Sequence, residues 1–220
     1  MKRFNFDKLH NNRKSFMKTY EYDDHKVVVG DNCLLLSAPH GVSQVRLGHL
    51  KYKEIGSVAT ALYLQEKTNS FLIVKTKNNN DDANFDTDCL YRKEMKKIIQ
   101  NNNIKYVIDF HGLSPKRNID INLGVHFGKN VESNENLMTT LYNELLMHGY
   151  TCTVDQPFMA GVRTVSGGMK EEFPHLWTIQ IEINRDITNY PDNATKYERL
   201  LNILEDWLIQ IINLEEKANH

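Results

Sequence analysis

The sequence predicts an α/β fold, a three-layer sandwich in which helices cover both faces of a mixed, mostly parallel central sheet. Two observations predict it. Short continuous apolar runs recur along the chain, which is typical of strands buried on both faces. Segments with apolar residues three and four positions apart, the spacing of an amphipathic helix, lie between these runs. Strands that alternate with helices favour a parallel or mixed sheet.

The predicted strands are apolar runs that end at turn-forming residues. They cover residues 26–29, 33–37, 71–75, 106–110, 122–127, 151–154 and 177–183. The predicted helices cover residues 54–62, 91–99, 137–148 and 197–211. Two long loops complete the pattern: one rich in Asn and Asp at 78–86, and one rich in Gly, Arg and Ser at roughly 156–175.

Length and composition indicate a globular protein. The chain has 220 residues, of which 40% are hydrophobic and 25% charged, and its formal net charge is −1. We expect one domain over residues 1–220, because this length can bury a core without disulfides. Residues 1–25 are polar and poorly periodic, and we expect them to form a peripheral arm. The near-zero charge and scattered basic residues argue against nucleic acid or a membrane as partner.

The cysteines and the N-terminal residues indicate a cytoplasmic protein. Cys33, Cys89 and Cys152 are odd in number, far apart and without a CxxC pair, so reduced thiols are expected. The first residues are polar and lack the apolar segment of a signal peptide. The longest apolar runs fall far short of the roughly 18 residues that a transmembrane helix requires.

Two predicted strands end in a histidine followed by a glycine. Strand 33–37 leads to His40 and Gly41, and strand 106–110 leads to His111 and Gly112. Ligands of open α/β sheets bind beyond the carboxyl ends of the strands, and each glycine lets the backbone turn sharply there. Two imidazoles at neighbouring strand ends predict a metal pair, to which a catalytic zinc adds a carboxylate. The alternative is that each is a hydrogen-bonded loop residue.

Three carboxylates are candidates for the same site. Glu54 opens a predicted helix, where it is either a metal ligand or a partner of the helix dipole. Asp109 lies on the same strand face as His111, so it is either an acceptor that orients the imidazole or a polar strand end. Glu182 interrupts the apolar strand 177–183, and near a metal it would serve as general base. The alternative for Glu182 is an edge strand with one solvated face.

Arginines on the predicted loop side would bind an acidic substrate, because a guanidinium grips a carboxylate through two parallel hydrogen bonds. Four arginines lie in or beside the predicted loop side: Arg92, Arg117, Arg163 and Arg185. We predict the substrate-binding role for Arg163, Arg92 and Arg185, with surface ion pairs as the alternative. Arg163 precedes the segment 164–168, which we expect to be a flexible loop that closes over a ligand.

These residues lie in four short motifs, Ser37-Ala-Pro-His-Gly41, Glu54-Ile-Gly-Ser57, Val107-Ile-Asp-Phe-His-Gly112 and Gln180-Ile-Glu-Ile-Asn-Arg185. Their order and spacing resemble the N-formylglutamate amidohydrolase-like group, which also includes poly-γ-glutamate hydrolases. The resemblance covers about residues 33 to 190. The group is similar in fold to the zinc carboxypeptidases, so the resemblance implies a phosphorylase/hydrolase-like α/β sandwich with a mixed sheet of the eight-stranded type.

The resemblance implies a role for each motif. His40, Glu54 and His111 look like the three zinc ligands, and Glu182 looks like the catalytic glutamate. The implied reaction is zinc-dependent hydrolysis of an amide or formamide in an N-acyl, N-formyl or γ-glutamyl acidic substrate. Glu182 would take a proton from the attacking water and pass it to the leaving nitrogen, while the metal and an arginine stabilise the oxyanion.

The spacing of the first two ligands departs from the zinc carboxypeptidases, which place them within one short turn. His40 and Glu54 are 14 positions apart, so the segment 46–52 must fold back to bring Glu54 to the metal. This departure motivates the alternative hypothesis, a binding protein or degenerate homologue that keeps the fold without the chemistry.

Overall fold

The computed structural model describes residues 4–189 and 191–218, and within them it has nine strands and six helices. The strands are β1 (His25–Val28), β2 (Leu34–Ala38), β3 (Gln44–Arg46), β4 (His49–Lys51), β5 (Phe71–Lys75), β6 (Tyr106–Leu113), β7 (Ile121–Gly124), β8 (Cys152–Val154) and β9 (Trp177–Asn184). The helices are α1 (Phe6–Thr19), α2 (Ile55–Thr68), α3 (Leu90–Asn101), α4 (Glu135–Met147), α5 (Val165–Glu172) and α6 (Ala194–Ala218).

The central sheet confirms the predicted fold class. Seven strands form it in the order β1-β5-β2-β6-β9-β7-β8. The pairs β5–β2, β2–β6, β6–β9 and β7–β8 are parallel, and β1–β5 and β9–β7 are antiparallel. The sheet is therefore mixed and mostly parallel, with seven strands in place of the eight that the resemblance implies. The neighbours β2, β6 and β9 all point their carboxyl ends to one edge of the sheet.

Apolar side chains divide between two layers of helices because successive strand residues face opposite sides of the sheet. Leu34 and Leu36 of β2 join a core that includes buried residues of α2, α4 and α6. Leu35 of the same strand joins a second core with α3 and α5. No helix in residues 4–189 and 191–218 has the length and apolar character needed to cross a membrane.

The predicted arm at residues 1–25 differs from the structure over most of its length. Residues 6–19 form α1, which the side chain of Asn5 caps by accepting a hydrogen bond from the Lys8 N–H at 2.8 Å. Phe6 and Leu9 are buried in the larger core, so this segment packs against the sandwich instead of lying loosely. Residues 1–3 lie outside the described part of the chain.

The second predicted loop also contains a helix. Thr164 is the N-cap of α5, and its hydroxyl accepts a hydrogen bond from the Gly167 N–H at 3.2 Å. A Cβ on Gly167 would lie 2.3 Å from the Gly161 carbonyl oxygen. The glycine therefore permits close packing of α5 against the loop before it. The segment 164–168 is the first turn of a helix, which corrects its interpretation as a flexible closing loop.

A buried ion cluster lies at the carboxyl end of β5, next to the start of β1. Lys75 in β5 is fully buried, and its Nζ lies 2.5 Å from Asp24 and 2.8 Å from Asp81. Burial opposes ionisation of Asp24, but hydrogen bonds from His25 and Lys75 outweigh it and lower the pKa of Asp24 to about 2. Asp24 therefore stabilises the folded state above the ordinary aspartate pKa, and this contribution is lost as the pH falls through about 2.

We expect the free energy of unfolding to fall between about pH 4 and pH 2 because Asp24 becomes protonated there. The variant Asp24→Asn should lose this part of the pH dependence and about 3 kcal/mol at neutral pH, since it leaves Lys75 buried with one carboxylate fewer. Urea unfolding at a series of pH values measures both effects. Asp23→Asn, an exposed neighbour, is the control, and the same acid slope in both variants would contradict the prediction.

Candidate active site

Three buried side chains from distant parts of the sequence meet at the carboxyl edge of the sheet. His40, Glu54 and His111 each offer one ligand atom, and these atoms lie within 4.8 Å of one another. The His40 Nδ1 is 3.0 Å from Glu54 Oε1, and the His111 Nδ1 is 3.4 Å from Glu54 Oε2. The two Nδ1 atoms are 3.1 Å apart. The structure thus brings together all three predicted metal ligands.

The hairpin of β3 and β4 explains the long spacing between the first two of these residues. The chain leaves His40, runs out along β3, turns at Leu47 and Gly48 with positive φ, and returns along β4. The Glu54 N–H then donates to the His40 carbonyl at 2.9 Å. Glu54 is the N-cap residue of α2, but its carboxylate makes no capping bond and instead contacts the imidazoles.

The two glycines that follow the histidines permit close packing. A Cβ on Gly41 would lie 2.2 Å from the Lys75 carbonyl oxygen. A Cβ on Gly112 would lie 3.1 Å from Glu54 Cγ, and the Gly112 N–H donates to Glu54 Oε2 at 2.8 Å. Gly112 lies within β6, so the sharp turn expected there is wrong. Its small size instead admits the carboxylate.

A buried carboxylate holds the far side of each imidazole. The Nε2 of His111 is 3.0 Å from Asp109 Oδ2, and the Nε2 of His40 is 3.0 Å from Asp82 Oδ1. A carboxylate only accepts, so in the neutral imidazoles both Nε2 atoms carry the proton and both Nδ1 atoms face Glu54 with a lone pair. This places Asp109 where the sequence predicts an orienting acceptor. Asp82 holds the second imidazole in the same way.

The pKa values of the cluster follow from this crowding. Burial disfavours a charged imidazole, but Glu54 and Asp82 outweigh it and raise the pKa of His40. Asp109 and Glu54 likewise raise the pKa of His111 well above its usual value, against the effect of burial. The two imidazoles outweigh burial at Glu54 and hold the pKa of that carboxyl well below its ordinary range. The cluster therefore attracts positive charge.

The donor set fits a zinc ion. Zinc binds histidine nitrogen and carboxylate oxygen at about 2.0–2.2 Å in tetrahedral geometry, which separates neighbouring ligand atoms by about 3.3 Å. The observed separations among the two Nδ1 atoms and the Glu54 oxygens are 3.0, 3.1 and 3.4 Å. In the neutral imidazoles, two lone pairs face each other beside a carboxylate, and a bound cation stabilises this arrangement. The carboxylates behind the imidazoles are the arrangement that zinc-binding histidines use.

Glu182 lies beside the cluster in a central strand. It is paired with His111 in the register of β6 and β9, and Asn122 of β7 lies on its other side. The alternative of an edge strand with a solvated face is therefore wrong. Burial raises the pKa of Glu182, and Gln180 Nε2 donates to its Oε1 at 2.9 Å. Both side chains line the same cavity as His40 and His111.

This cavity has a volume of about 560 Å³ and an excess of cationic groups at its walls. Arg46 contacts Asp82 at 2.7 Å and Lys51 contacts Glu54 at 3.4 Å. Three further arginines line the cavity and form no ion pair with any described residue: Arg117, Arg163 and Arg185. The structure thus places two of the predicted substrate-binding arginines, Arg163 and Arg185, at the cavity. Arg117, which the sequence also places on the loop side, lies there with them.

Arg92 does not line the cavity, which corrects its prediction as a substrate-binding residue. It is 2% exposed, because it lies on the sheet side of α3. Its Nε donates to the Ala83 carbonyl at 2.9 Å, and its Nη2 donates to the Arg163 carbonyl. Arg92 therefore ties together two loops of the cavity wall and fixes the backbone that carries Arg163.

Sequence reasoning missed Asp82, Lys51, Arg46 and Gln180. Asp82 lies in the Asn- and Asp-rich segment, where one buried acid is indistinguishable by pattern from its solvated neighbours. Gln180 carried a usable signal, since it shares the strand face of Glu182. Arg46 and Lys51 lie in the hairpin of β3 and β4, and only the return of this hairpin brings them to the carboxylates of the site.

The fold of the chain is similar to the folds of several solved hydrolases. Its fold matches an N-formylglutamate amidohydrolase from Ralstonia eutropha with a TM-score of 0.59 at 11% identity, over 89% of this chain and 99% of that one. It matches a bacteriophage poly-gamma-glutamate hydrolase with a TM-score of 0.52 at 12% identity, over 86% and 89% of the two chains.

A metallo-carboxypeptidase from Burkholderia cenocepacia has the same fold, with a TM-score of 0.52 at 11% identity over 91% of this chain and 69% of that one. No family model and no curated protein matches the sequence. These structures confirm the resemblance at the level of fold. At such low identity the roles of individual residues stay predictions.

We expect Arg92→Met to lower the free energy of unfolding by about 2 kcal/mol, because it leaves two backbone carbonyls without their charged donor. Arg163→Met is the matched control. It removes an exposed guanidinium from the same wall and should change stability by less than about 0.5 kcal/mol. Urea unfolding of both variants measures the difference, and equal losses would contradict the structural role of Arg92.

Proposed function

We propose that this protein is a zinc-dependent amidohydrolase that cleaves the C–N bond of an N-acyl or γ-glutamyl acidic substrate. The observation that carries the proposal is the buried set of His40, Glu54 and His111, with both Nδ1 atoms facing the same carboxylate. A zinc ion held there supplies Lewis acidity, which activates water near neutral pH and polarises a carbonyl group.

Glu182 is the general base of the proposed reaction. It lies beside His111 in the sheet register, and burial keeps its pKa above the ordinary glutamate value. A raised pKa suits a group that takes a proton from the attacking water and returns it to the leaving nitrogen. Gln180 holds Oε1 of Glu182 at 2.9 Å, which leaves Oε2 to exchange the proton.

Two features of the cavity support the substrate class. Arg117, Arg163 and Arg185 have no carboxylate partner among the described residues, so carboxylates of an acidic substrate would complete their pairing. Gln180 Oε1 is buried and has no hydrogen-bond partner in the described structure. Because its Nε2 is committed to Glu182, this oxygen is an acceptor available for the N–H of an amide.

Metal analysis after zinc reconstitution tests the site. The parent chain should bind close to one zinc, and His111→Ala should lose it because the variant removes one of three ligands. His49→Ala, an exposed histidine of the nearby hairpin, should keep full zinc content. Stoichiometric zinc in His111→Ala would contradict the assignment.

Glu182→Gln tests the chemistry. The zinc-loaded variant should keep its metal and lose at least about 100-fold in kcat, the usual contribution of a general base. N-formyl-L-glutamate and poly-γ-glutamate are the probes, and Glu171→Gln, an exposed carboxylate, is the control. A fully active Glu182→Gln would overturn the base assignment. Zinc binding by the parent without hydrolysis of either probe would favour the alternative of a binding protein.

A further inference from the structure

A chain of buried hydroxyl groups runs behind the two histidines on the α3 side of the sheet. Ser37 Oγ donates to Asp109 Oδ1 at 2.7 Å, on the opposite oxygen from the one that holds His111. Tyr91 Oη lies 2.9 Å from Ser37 Oγ. All of these side chains are at most 1% exposed, so water does not satisfy them.

The proton positions along this chain of hydroxyl groups are determined by neighbours that can only donate or only accept a hydrogen bond. The Asp109 carboxylate accepts, so Ser37 uses its single proton there and its oxygen accepts from Tyr91. The Ala38 N–H donates to Tyr91 Oη at 3.1 Å, and the Ile73 carbonyl accepts from it at 3.0 Å. The Tyr91 proton is therefore shared between Ser37 and Ile73. Burial raises the pKa of Tyr91 well above its usual value, which keeps this proton in place.

We propose that Tyr91 and Ser37 are positioning residues that set the orientation of both histidine ligands from behind the sheet. This inference rests on the proposed zinc site. Through Ser37 and Asp109, Tyr91 fixes the tautomer and ring orientation of His111. Through the Ala38 N–H, it fixes the end of β2 two residues before His40. One phenol hydroxyl thus connects β5, β2 and the ligand-bearing end of β6.

The physical reason is that a carboxylate oriented by one hydrogen bond can still rotate, whereas bonds at both oxygens hold its plane. Asp109 has Ser37 on one oxygen and His111 on the other. Groups that orient metal-binding imidazoles typically change metal affinity by about 10–100-fold when they are removed. A ligand set that is already oriented in the metal-free protein loses less conformational freedom on binding zinc.

The chain offers a matched control for this inference. Tyr197 is also buried, and its hydroxyl also has a hydroxyl partner, Thr60 Oγ1 at 2.9 Å. It lies in α6 in the helix layer on the other side of the sheet, with no hydrogen-bonded path to either histidine in the described structure. Tyr→Phe at the two positions is therefore the same chemical change at similar burial.

The test is the zinc dissociation constant of each folded variant, measured by competition with a chelator and not by activity. Tyr91→Phe and Ser37→Ala should each raise it by about 10-fold, and Tyr197→Phe should leave it at the parent value. The double variant Ser37→Ala/Tyr91→Phe should lose less than the two single losses combined, because both act through Asp109. Unfolding curves on the same samples identify any variant that is not folded, and Ser37→Ala, a small change in volume, keeps the test decisive.

Parent-like zinc affinity in both Ser37→Ala and Tyr91→Phe would overturn this inference while leaving the proposed function intact. Equal weakening by Tyr197→Phe would also overturn it, since the effect would then follow general stability. A parent chain that binds no zinc would overturn the inference and the proposed function together.

Discussion

The carboxyl edge of the sheet is organised around the cost of burying two imidazoles and a carboxylate side by side. His40, His111 and Glu54 are almost fully buried, and polar groups in that position destabilise a fold unless each is paired. Four carboxylates lie at or beside the cluster, namely Glu54, Asp82, Asp109 and Glu182. Arg46 and Lys51 contact two of them, and a divalent cation would offset the remaining charge. The geometry and the charge of the cluster thus both favour a divalent cation.

A glycine in β6 and the hairpin of β3 and β4 allow the side chains of this cluster to approach one another closely. Gly112 within β6 leaves room for Glu54, and its N–H also binds that carboxylate. The hairpin of β3 and β4 returns the chain so that Glu54 reaches an imidazole 14 positions earlier in sequence. On the other wall, buried Arg92 binds the carbonyl of Arg163 and so connects the core to the cationic face of the cavity.

The buried hydroxyl groups of Tyr91 and Ser37 connect the orientation of the histidine ligands to the strands of the sheet. Tyr91 comes from a helix, yet its hydroxyl contacts two neighbouring strands and a serine that orients Asp109. A helix that packs against the sheet therefore also contributes to the environment of the site. Cavity walls rich in unpaired arginine suit an acidic ligand, while the interior retains one free acceptor at Gln180. Charge at the rim and a single acceptor inside are a basis for specificity in binding sites.

The sequence by itself determined the alternation of strands and helices, the two histidines at strand ends and the acid in β9. These features follow from local periodicity and from the alternation of strand faces. Only the tertiary structure decided that α5 is a helix and that Asp82 holds His40. It also showed that Arg92 is buried and that β9 is a central strand. The reason is physical: Gly167 is tolerated in a helix because of a loop that packs on it, and the roles of Asp82 and Arg92 depend on partners 42 and 71 positions away.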